Sequence, residues 1–119
     1  MRKGDLMAAV TDKNKPQTQQ QIPAYVIARI EVTDPKQFQK YLNAVPPIIE
    51  KYGGKALSRS PNPLTLEGEK ESRRIVLLEF PSAEKAKEFY NSPEYQKVKK
   101  LREGAAVGEM IVVEGIADE

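Results

Sequence analysis

Carboxylate, tyrosine and arginine side chains are the groups through which this sequence could carry out chemistry. The chain has 119 residues and contains neither histidine nor cysteine. Their absence excludes a histidine general base, a cysteine nucleophile, a haem site with a proximal histidine, and metal sites built on thiolates or imidazoles. The acidic residues are too scattered for a dedicated metal cage. We therefore expect no cofactor and no metal, which leaves proton transfer by carboxylates or tyrosines and anion binding by arginine.

Arg29 and Glu79 are the charged residues that the strand pattern places on one face of a sheet. Residues alternate between two faces from Ala24 to Val32, so Arg29 lies on the same face as Tyr25. Glu79 falls on that face of a second strand, unless the register is wrong by one residue, which would invert the faces. Charges in an apolar interior are costly unless matched. We expect either a self-satisfying Arg29–Glu79 ion pair, or a site in which Arg29 holds an anionic ligand and Glu79 moves a proton.

Further candidates lie on another strand and on the helices. Arg59 could join the Arg29 site, although a solvated edge position is the simpler interpretation. Tyr41 and Tyr90 occupy helical positions suited to core packing, with the hydroxyl reaching an edge. If a pocket lies between sheet and helices, either tyrosine is the predicted proton donor or ligand anchor. The catalytic candidates are Glu79 and Tyr41, and the ligand-binding candidates are Arg29, Arg59, Tyr25 and Tyr90.

A basic helical segment runs from Lys97 to Arg102. Cations near the C-terminal end of a helix interact favourably with its dipole. A solvated helix face is the simpler interpretation of this segment, and an anion-binding patch is the alternative.

Four strands must position these side chains. The apolar and alternating patterns predict them at about Ala24–Val32, Lys55–Ser60, Arg74–Phe80 and Gly108–Gly115. The strand that contains Ile75, Val76, Leu77 and Leu78 is apolar on both faces, which is typical of a strand covered on both sides.

One helical region lies between the first and second strands, and another lies between the third and fourth. Asp34 is the predicted N-cap of the first helix, which Pro46 and Pro47 should kink or split near Ala44. Ser82 caps a second helix, and Ser92 with the proline after it starts a third segment that runs to about Arg102. The resulting βαββαβ order predicts a ferredoxin-like α+β sandwich with an antiparallel sheet.

Helices in such a fold cover only one face of the sheet. Burial of the second apolar face, at roughly 25 cal/mol per Å², would stabilise the protein by many kcal/mol. We therefore predict a homodimer in which two copies pack sheet to sheet into a dimeric α/β barrel. The alternative is that the N-terminal segment covers this face within a monomer.

Composition bounds the organisation and the partners. The 19 basic and 17 acidic residues give a net charge of +2, so we expect neither nucleic acid nor a membrane surface as a partner. The lack of cysteine fits a reducing compartment, and we expect a cytoplasmic protein. Residues 1–23 are predicted to be a flexible polar leader or an arm that packs on a partner, residues 24–116 the domain, and residues 117–119 a C-terminal tail.

An ordered set of segments resembles the domain of unknown function 1330 (DUF1330) family. The resemblance covers about Ala24 to Gly115, and the segments that carry it are residues 25–35, 52–55, 66–68, 76–82, 91–95 and 112–115. It implies membership of the dimeric α/β barrel group, in which two ferredoxin-like subunits face their sheets together. The family has no established reaction. The wider group includes cofactor-free monooxygenases, haem-handling enzymes and small hydrolase-like or isomerase-like proteins, several of which depend on a histidine that this chain lacks.

The sequence leaves three functions open. We expect a small dimeric protein that binds a small metabolite, anionic or aromatic, in a pocket of the barrel. The alternative is a cofactor-free enzyme, monooxygenase-like or isomerase-like, that acts on a small carbonyl or phenolic compound. The third hypothesis is an interaction module whose sheet face makes only the dimer.

Overall fold

A four-stranded antiparallel sheet is the centre of the computed structural model, which describes residues 22–117. The strands are β1 (Ala24–Val32), β2 (Lys55–Ser60), β3 (Arg74–Phe80) and β4 (Ala106–Glu114). Their order across the sheet is β2-β3-β1-β4. The first three strands have the predicted bounds, whereas β4 begins earlier because Ala106 already pairs with Val32 of β1. The predicted leader, except for its last two residues, and residues 118 and 119 of the predicted tail lie outside the described residues.

Four helices and one 3₁₀ turn connect the strands. As predicted, the side chain of Asp34 caps the first helix by accepting a hydrogen bond from the Gln37 backbone N–H at 3.2 Å. The first helix ends at Ala44, because Pro46 and Pro47 lack the N–H groups that would continue it. None of the described helices has both the length and the apolar composition of a membrane span. They are α1 (Pro35–Ala44), α2 (Pro46–Lys51), α3 (Ala83–Asn91) and α4 (Pro93–Lys99), followed by the 3₁₀ turn Lys100–Arg102.

The hydrophobic core lies between the helices and one face of the sheet. Aromatic rings dominate it: Phe89 packs on Phe80 with 5.1 Å between ring centroids and on Tyr95 with 4.7 Å. The helices within residues 22–117 lie on this side, and the order of the elements confirms the ferredoxin-like fold. Its buried members include Val26, Ile30, Phe38, Tyr41, Leu78, Phe80, Phe89 and Tyr95.

The opposite side of the sheet, here called the open face, is apolar, and none of the helices between residues 22 and 117 lies on it. The register pairs Ile27 with Leu77 on one side and with Ile111 on the other, so the three side chains form a row across this face. Ile111 is 45% exposed and Val113 is 39% exposed. The predicted assignment of faces is therefore confirmed. The open face consists of Tyr25, Ile27, Ile75, Leu77, Ile111 and Val113, together with charged residues at its ends.

A close backbone approach joins the end of α2 to the core. A Cβ atom added at Gly54 would lie 2.6 Å from Cε1 of Phe80 and 2.9 Å from Cγ2 of Ile49. Only glycine fits this position without moving the buried ring, so the predicted helix stop is also a packing requirement.

Candidate functional site

Arg29 belongs to a cluster of paired charges at one end of the open face. Its guanidinium lies 4.0 Å from the Glu71 carboxylate and 3.8 Å from that of Glu109. Arg73 joins the same two carboxylates, at 2.8 Å to Glu71 and 3.3 Å to Glu109. Hydrogen bonds from Arg73 lower the pKa of Glu71 to about 2. The four residues form a matched network of two cations and two anions.

The predicted Arg29–Glu79 ion pair is wrong. Arg29 stands opposite Ile75 and Glu79 stands opposite Tyr25, so the two charged residues are four positions apart along the antiparallel pair, or about 13 Å. Glu79 instead lies 3.6 Å from the Lys55 ammonium on the neighbouring strand. The sequence placed both residues on one face correctly, but their distance depends on the register, which the pattern alone does not fix.

Arg59 does not join the Arg29 cluster. It is exposed on the edge strand β2 and pairs with Val76, which in turn stands opposite the buried Ala28. Its place is therefore on the helix side of the sheet, beyond the β-bulge between Ala56 and Ser58. Arg59 lines two further pockets, beside Val76 in one and beside Pro46 and Lys55 in the other, and its role in ligand binding stays a prediction.

Tyr41 is a core residue of α1. Its ring is 6% exposed and packs on Phe38, and its hydroxyl shares a 2.8 Å hydrogen bond with that of Tyr95. Burial and the neighbouring Tyr95 hydroxyl raise the pKa of Tyr41 well above its ordinary value. The raised pKa disfavours the phenolate form of Tyr41. The two predicted catalytic residues, Glu79 and Tyr41, also lie on opposite sides of the sheet.

A cleft of about 350 Å³ lies between α3 and the edge strand β4, and we call it the α3–β4 cleft. Its floor and walls are apolar, with a few polar side chains among them. Gly108 lies at its edge, where an added Cβ would come within 2.4 Å of the Arg29 carbonyl oxygen. The lining residues on the sheet are Val26, Ile30, Gly108, Glu109, Met110 and Val112, and those on the helical side are Ala86, Lys87, Phe89, Tyr90 and Arg102.

Tyr90 and Arg102 place polar groups at this cleft. The Tyr90 hydroxyl accepts a 3.0 Å hydrogen bond from the Lys99 ammonium, which also lies 5.1 Å from the centre of the ring. The Arg102 guanidinium stacks over the Tyr41 ring at 5.3 Å and donates to the Tyr95 hydroxyl at 3.4 Å. Of the residues proposed from the sequence, Tyr90 alone lines this cleft.

Arg102 lines the cleft but is not singled out by the sequence. The sequence places it in the basic segment from Lys97 to Arg102, whose simpler interpretation is a solvated helix face. A signal did exist, because Arg102 follows Tyr95 by seven positions and Val98 by four. Those spacings put Arg102 on the same side of the helical segment as Tyr95, which is fully buried, and Val98, which packs against the core.

The described part of the chain holds no group of three or more acidic side chains able to bind a metal ion. The side chains that line the cleft include a tyrosine hydroxyl, which can donate or accept a hydrogen bond, and cations that can hold an anion.

Comparison with known proteins identifies the family and the fold. The family described as domain of unknown function DUF1330 matches residues 23–116. A comparison with curated protein sequences gives no match.

Solved structures share the fold at low sequence identity. RPA0582 of Rhodopseudomonas palustris, a protein of unknown function, is 19% identical with a TM-score of 0.66, covering 83% of this chain and 86% of its own. SnoaB of Streptomyces nogalater, a cofactor-independent oxygenase, is 10% identical with a TM-score of 0.59, covering 80% and 94%. Rv0793 of Mycobacterium tuberculosis is 19% identical with a TM-score of 0.54, covering 82% and 97%. Such similarities establish a common architecture.

Proposed function

We propose that this chain, which belongs to the DUF1330 family of domains of unknown function, is a homodimeric protein that binds a small metabolite in the α3–β4 cleft. The observation that carries this proposal is the cleft itself. Its volume of about 350 Å³ falls in the range of small-molecule sites, which are mostly apolar with a few polar groups for orientation. This replaces the site predicted around Arg29 and Glu79, whose charged groups are separated and already paired.

The open face supports the dimer. A contiguous apolar surface is typical of a protein–protein interface. Arg29, Glu71, Arg73 and Glu109 neutralise one another within the chain, so a partner could cover them without leaving an unmatched charge. A two-fold arrangement would bury the face of each copy against the other.

Two exposed leucines lie outside the sheet, in the loop between β2 and β3. Leu64 is 85% exposed and Leu66 is 91% exposed. Apolar side chains this exposed in one loop are also consistent with an interface. We include them in the proposed contact surface, which extends beyond the open face.

Native mass spectrometry of the purified full chain tests both parts of the proposal. We expect a dimer that carries a small molecule, which denaturation releases and whose mass identifies it. Val112→Trp should reduce ligand retention, because Val112 lines the cleft at its accessible edge and is 42% exposed. Ile116→Trp is the matched control, since Ile116 is 92% exposed and is not among the lining residues. A monomer would contradict the dimer, and equal retention in both variants would contradict the location of the site.

A second candidate is a cofactor-free enzyme acting on a small carbonyl or phenolic compound. The observation in its favour is the Tyr90 hydroxyl at the cleft, oriented by the Lys99 ammonium at 3.0 Å. The oxygenase SnoaB shares the fold. In this case Tyr90, rather than Glu79 or Tyr41, would transfer the proton. Tyr90→Phe should then abolish turnover of the identified ligand while the ligand still binds. Unchanged composition of the ligand after prolonged incubation with the unaltered protein would argue for binding alone.

The cytoplasmic location expected from the lack of cysteine is part of the proposal. Cell fractionation followed by detection of the chain tests it, and recovery outside the cytoplasmic fraction would contradict it.

A further inference from the structure

We propose that the ligand of the α3–β4 cleft is an aromatic carboxylate and that Arg102 binds its carboxylate group. This inference depends on the proposed function, because it names the ligand class of the same cleft. It is supported by the burial and incomplete hydrogen bonding of the Arg102 guanidinium and by the excess of positive charge around the cleft.

Arg102 is a half-buried cation with hydrogen-bonding capacity to spare. Its Nε is the one buried side-chain nitrogen or oxygen without a hydrogen-bond partner between residues 22 and 117. No carboxylate of the described residues forms an ion pair with it. A buried N–H without an acceptor is unfavourable, and it is typically found where a water molecule or ligand completes the site. A guanidinium can bind a carboxylate through two parallel N–H donors.

The core holds this guanidinium in place. Nη2 of Arg102 donates to the Tyr95 hydroxyl, which is fully buried and bonded to Tyr41. The Tyr41 ring lies against the guanidinium, with 5.3 Å between the ring centre and Cζ. A cation supported on one side by aromatic rings and hydroxyls loses little further conformational entropy when it binds an anion.

The charged groups around the cleft favour an anion. Lys87 lines the cleft together with Arg102, and Lys99 binds the hydroxyl of the lining Tyr90. Glu109 is the one acidic residue among the lining residues of the cleft. Its carboxylate already lies 3.8 Å from Arg29 and 3.3 Å from Arg73. The positive charge at the cleft is therefore not balanced by Glu109.

The apolar walls indicate the rest of the ligand. Phe89 and Tyr90 offer aromatic surface, and Met110 offers a polarisable thioether that packs well against aromatic rings. Val26, Ile30 and Val112 complete this part of the cleft. A flat apolar body with one carboxylate matches both the walls and the cation.

The test compares carboxylates with their neutral amides. Benzoate and 2-naphthoate, with benzamide and 2-naphthamide as matched probes, are titrated into the ¹⁵N-labelled full chain while amide chemical shifts are followed. We expect the carboxylates to shift the signals of Ala86, Tyr90 and Met110 and to bind at least tenfold more tightly than the amides. Arg102→Gln should weaken carboxylate binding by about tenfold to a hundredfold, as expected for loss of charge-assisted hydrogen bonds, and leave amide binding unchanged.

Two further variants keep the test decisive. Lys100→Gln removes the same charge from the same turn at an exposed position and should leave the affinities unchanged. Arg102→Lys keeps the charge and loses the two-donor geometry, so its affinity should fall between those of the unaltered chain and Arg102→Gln.

The outcomes separate this inference from the proposed function. If the unaltered chain binds carboxylates and amides equally tightly, the ligand is not recognised as an anion, and the present inference is overturned. The cleft would still be a binding site, so the proposed function would stand. This comparison needs no variant. Equal effects of Arg102→Gln and Lys100→Gln would overturn the role of Arg102. Both proposals would be overturned if none of the four probes shifts the signals of the cleft residues and the native mass spectra also show no bound ligand.

Discussion

The hydroxyl groups of Tyr41 and Tyr95 meet at 2.8 Å inside the core, although the two residues are 54 positions apart in the chain. The pair ties α1 to α4 and gives each buried phenol a partner. It also supports the guanidinium of Arg102, so the same contact joins the core to the cleft.

Removal of one hydroxyl from this pair should destabilise the fold. Tyr41→Phe leaves the Tyr95 hydroxyl with the long bond from Arg102 alone. We expect the free energy of unfolding to fall by about 1 kcal/mol, the typical net value of a buried hydrogen bond. Urea unfolding at a fixed protein concentration measures it, since self-association would also contribute to stability.

A double-mutant cycle shows whether the fall in the free energy of unfolding comes from the hydrogen bond between Tyr41 and Tyr95. Tyr95→Phe alone and the double variant complete the cycle, and the coupling should be about 0.5–1.5 kcal/mol. Tyr25→Phe, which removes a hydroxyl on the open face, is the matched control and should change stability little. Additive effects of the two core substitutions would show that the hydrogen bond contributes nothing.

The charge cluster on the open face should make stability dependent on acid pH. The pKa of Glu71 is about 2, below its ordinary value of 4.5, because Arg73 donates hydrogen bonds to the carboxylate. A carboxylate with a lowered pKa in the folded state stabilises the fold above its unfolded pKa, and this contribution is lost as the group protonates. Stability should therefore decline as the pH falls from about 4.5 towards 2.

Glu71→Gln should remove that part of the acid dependence. Thermal unfolding between about pH 2 and pH 7, the range in which carboxylates change charge, measures the dependence of stability on pH. Glu67→Gln, at an exposed position in the same loop, is the control. If both variants keep the pH profile of the unaltered chain, the network does not contribute to stability.

The close approach at Gly54 predicts a strict requirement for glycine. Gly54→Ala would bring a Cβ to within 2.6 Å of the Phe80 ring, which is fully buried and cannot move freely. Overpacking of this kind costs about 1–3 kcal/mol. Denaturant unfolding measures the loss.

A second substitution checks the cause. In a Phe80→Leu background the ring atoms nearest Gly54 are absent, so Gly54→Ala should cost much less there than in the unaltered chain. The same cost in both backgrounds would mean that the close approach to Cγ2 of Ile49, rather than the Phe80 ring, requires glycine.

Two adjacent residues on β4 allow a matched test of the dimer. Ile111 lies on the open face and Val112 lines the cleft on the opposite face, and their exposures are similar at 45% and 42%. Ile111→Lys would bury an unpaired charge between two copies, and we expect a largely monomeric protein. Val112→Lys should remain dimeric. Light scattering coupled to gel filtration measures the mass, and equal masses for the two variants would contradict sheet-to-sheet association.

The fold could be predicted from the sequence because its signals are local. Alternation from Ala24 to Val32 gave both the strand and its faces, and Asp34 with the proline after it gave the start of α1. The prolines at 46 and 47 gave the break between α1 and α2.

The site could not be predicted to the same degree, because it depends on long-range geometry. Glu79 and Arg29 share a face but stand four positions apart across the register, which hydrogen bonding between strands decides. Arg102 is half-buried because its turn follows α4 against the core, and a basic segment alone does not reveal which of its members turns inward. Tyr41 was correctly expected to pack in the core, but its partner, Tyr95, comes from a distant helix.

The edge strand β4 has a consequence for how the proposed activities combine. Glu109 and Ile111 lie on the open face, while Gly108, Met110 and Val112 line the cleft from the same strand. One backbone thus forms a shared wall between the proposed subunit interface and the proposed ligand site. Occupancy and self-association are then thermodynamically linked: a ligand that strengthens the dimer must bind the dimer more tightly than the monomer, by the same factor. In that case the apparent affinity for the ligand would rise with protein concentration.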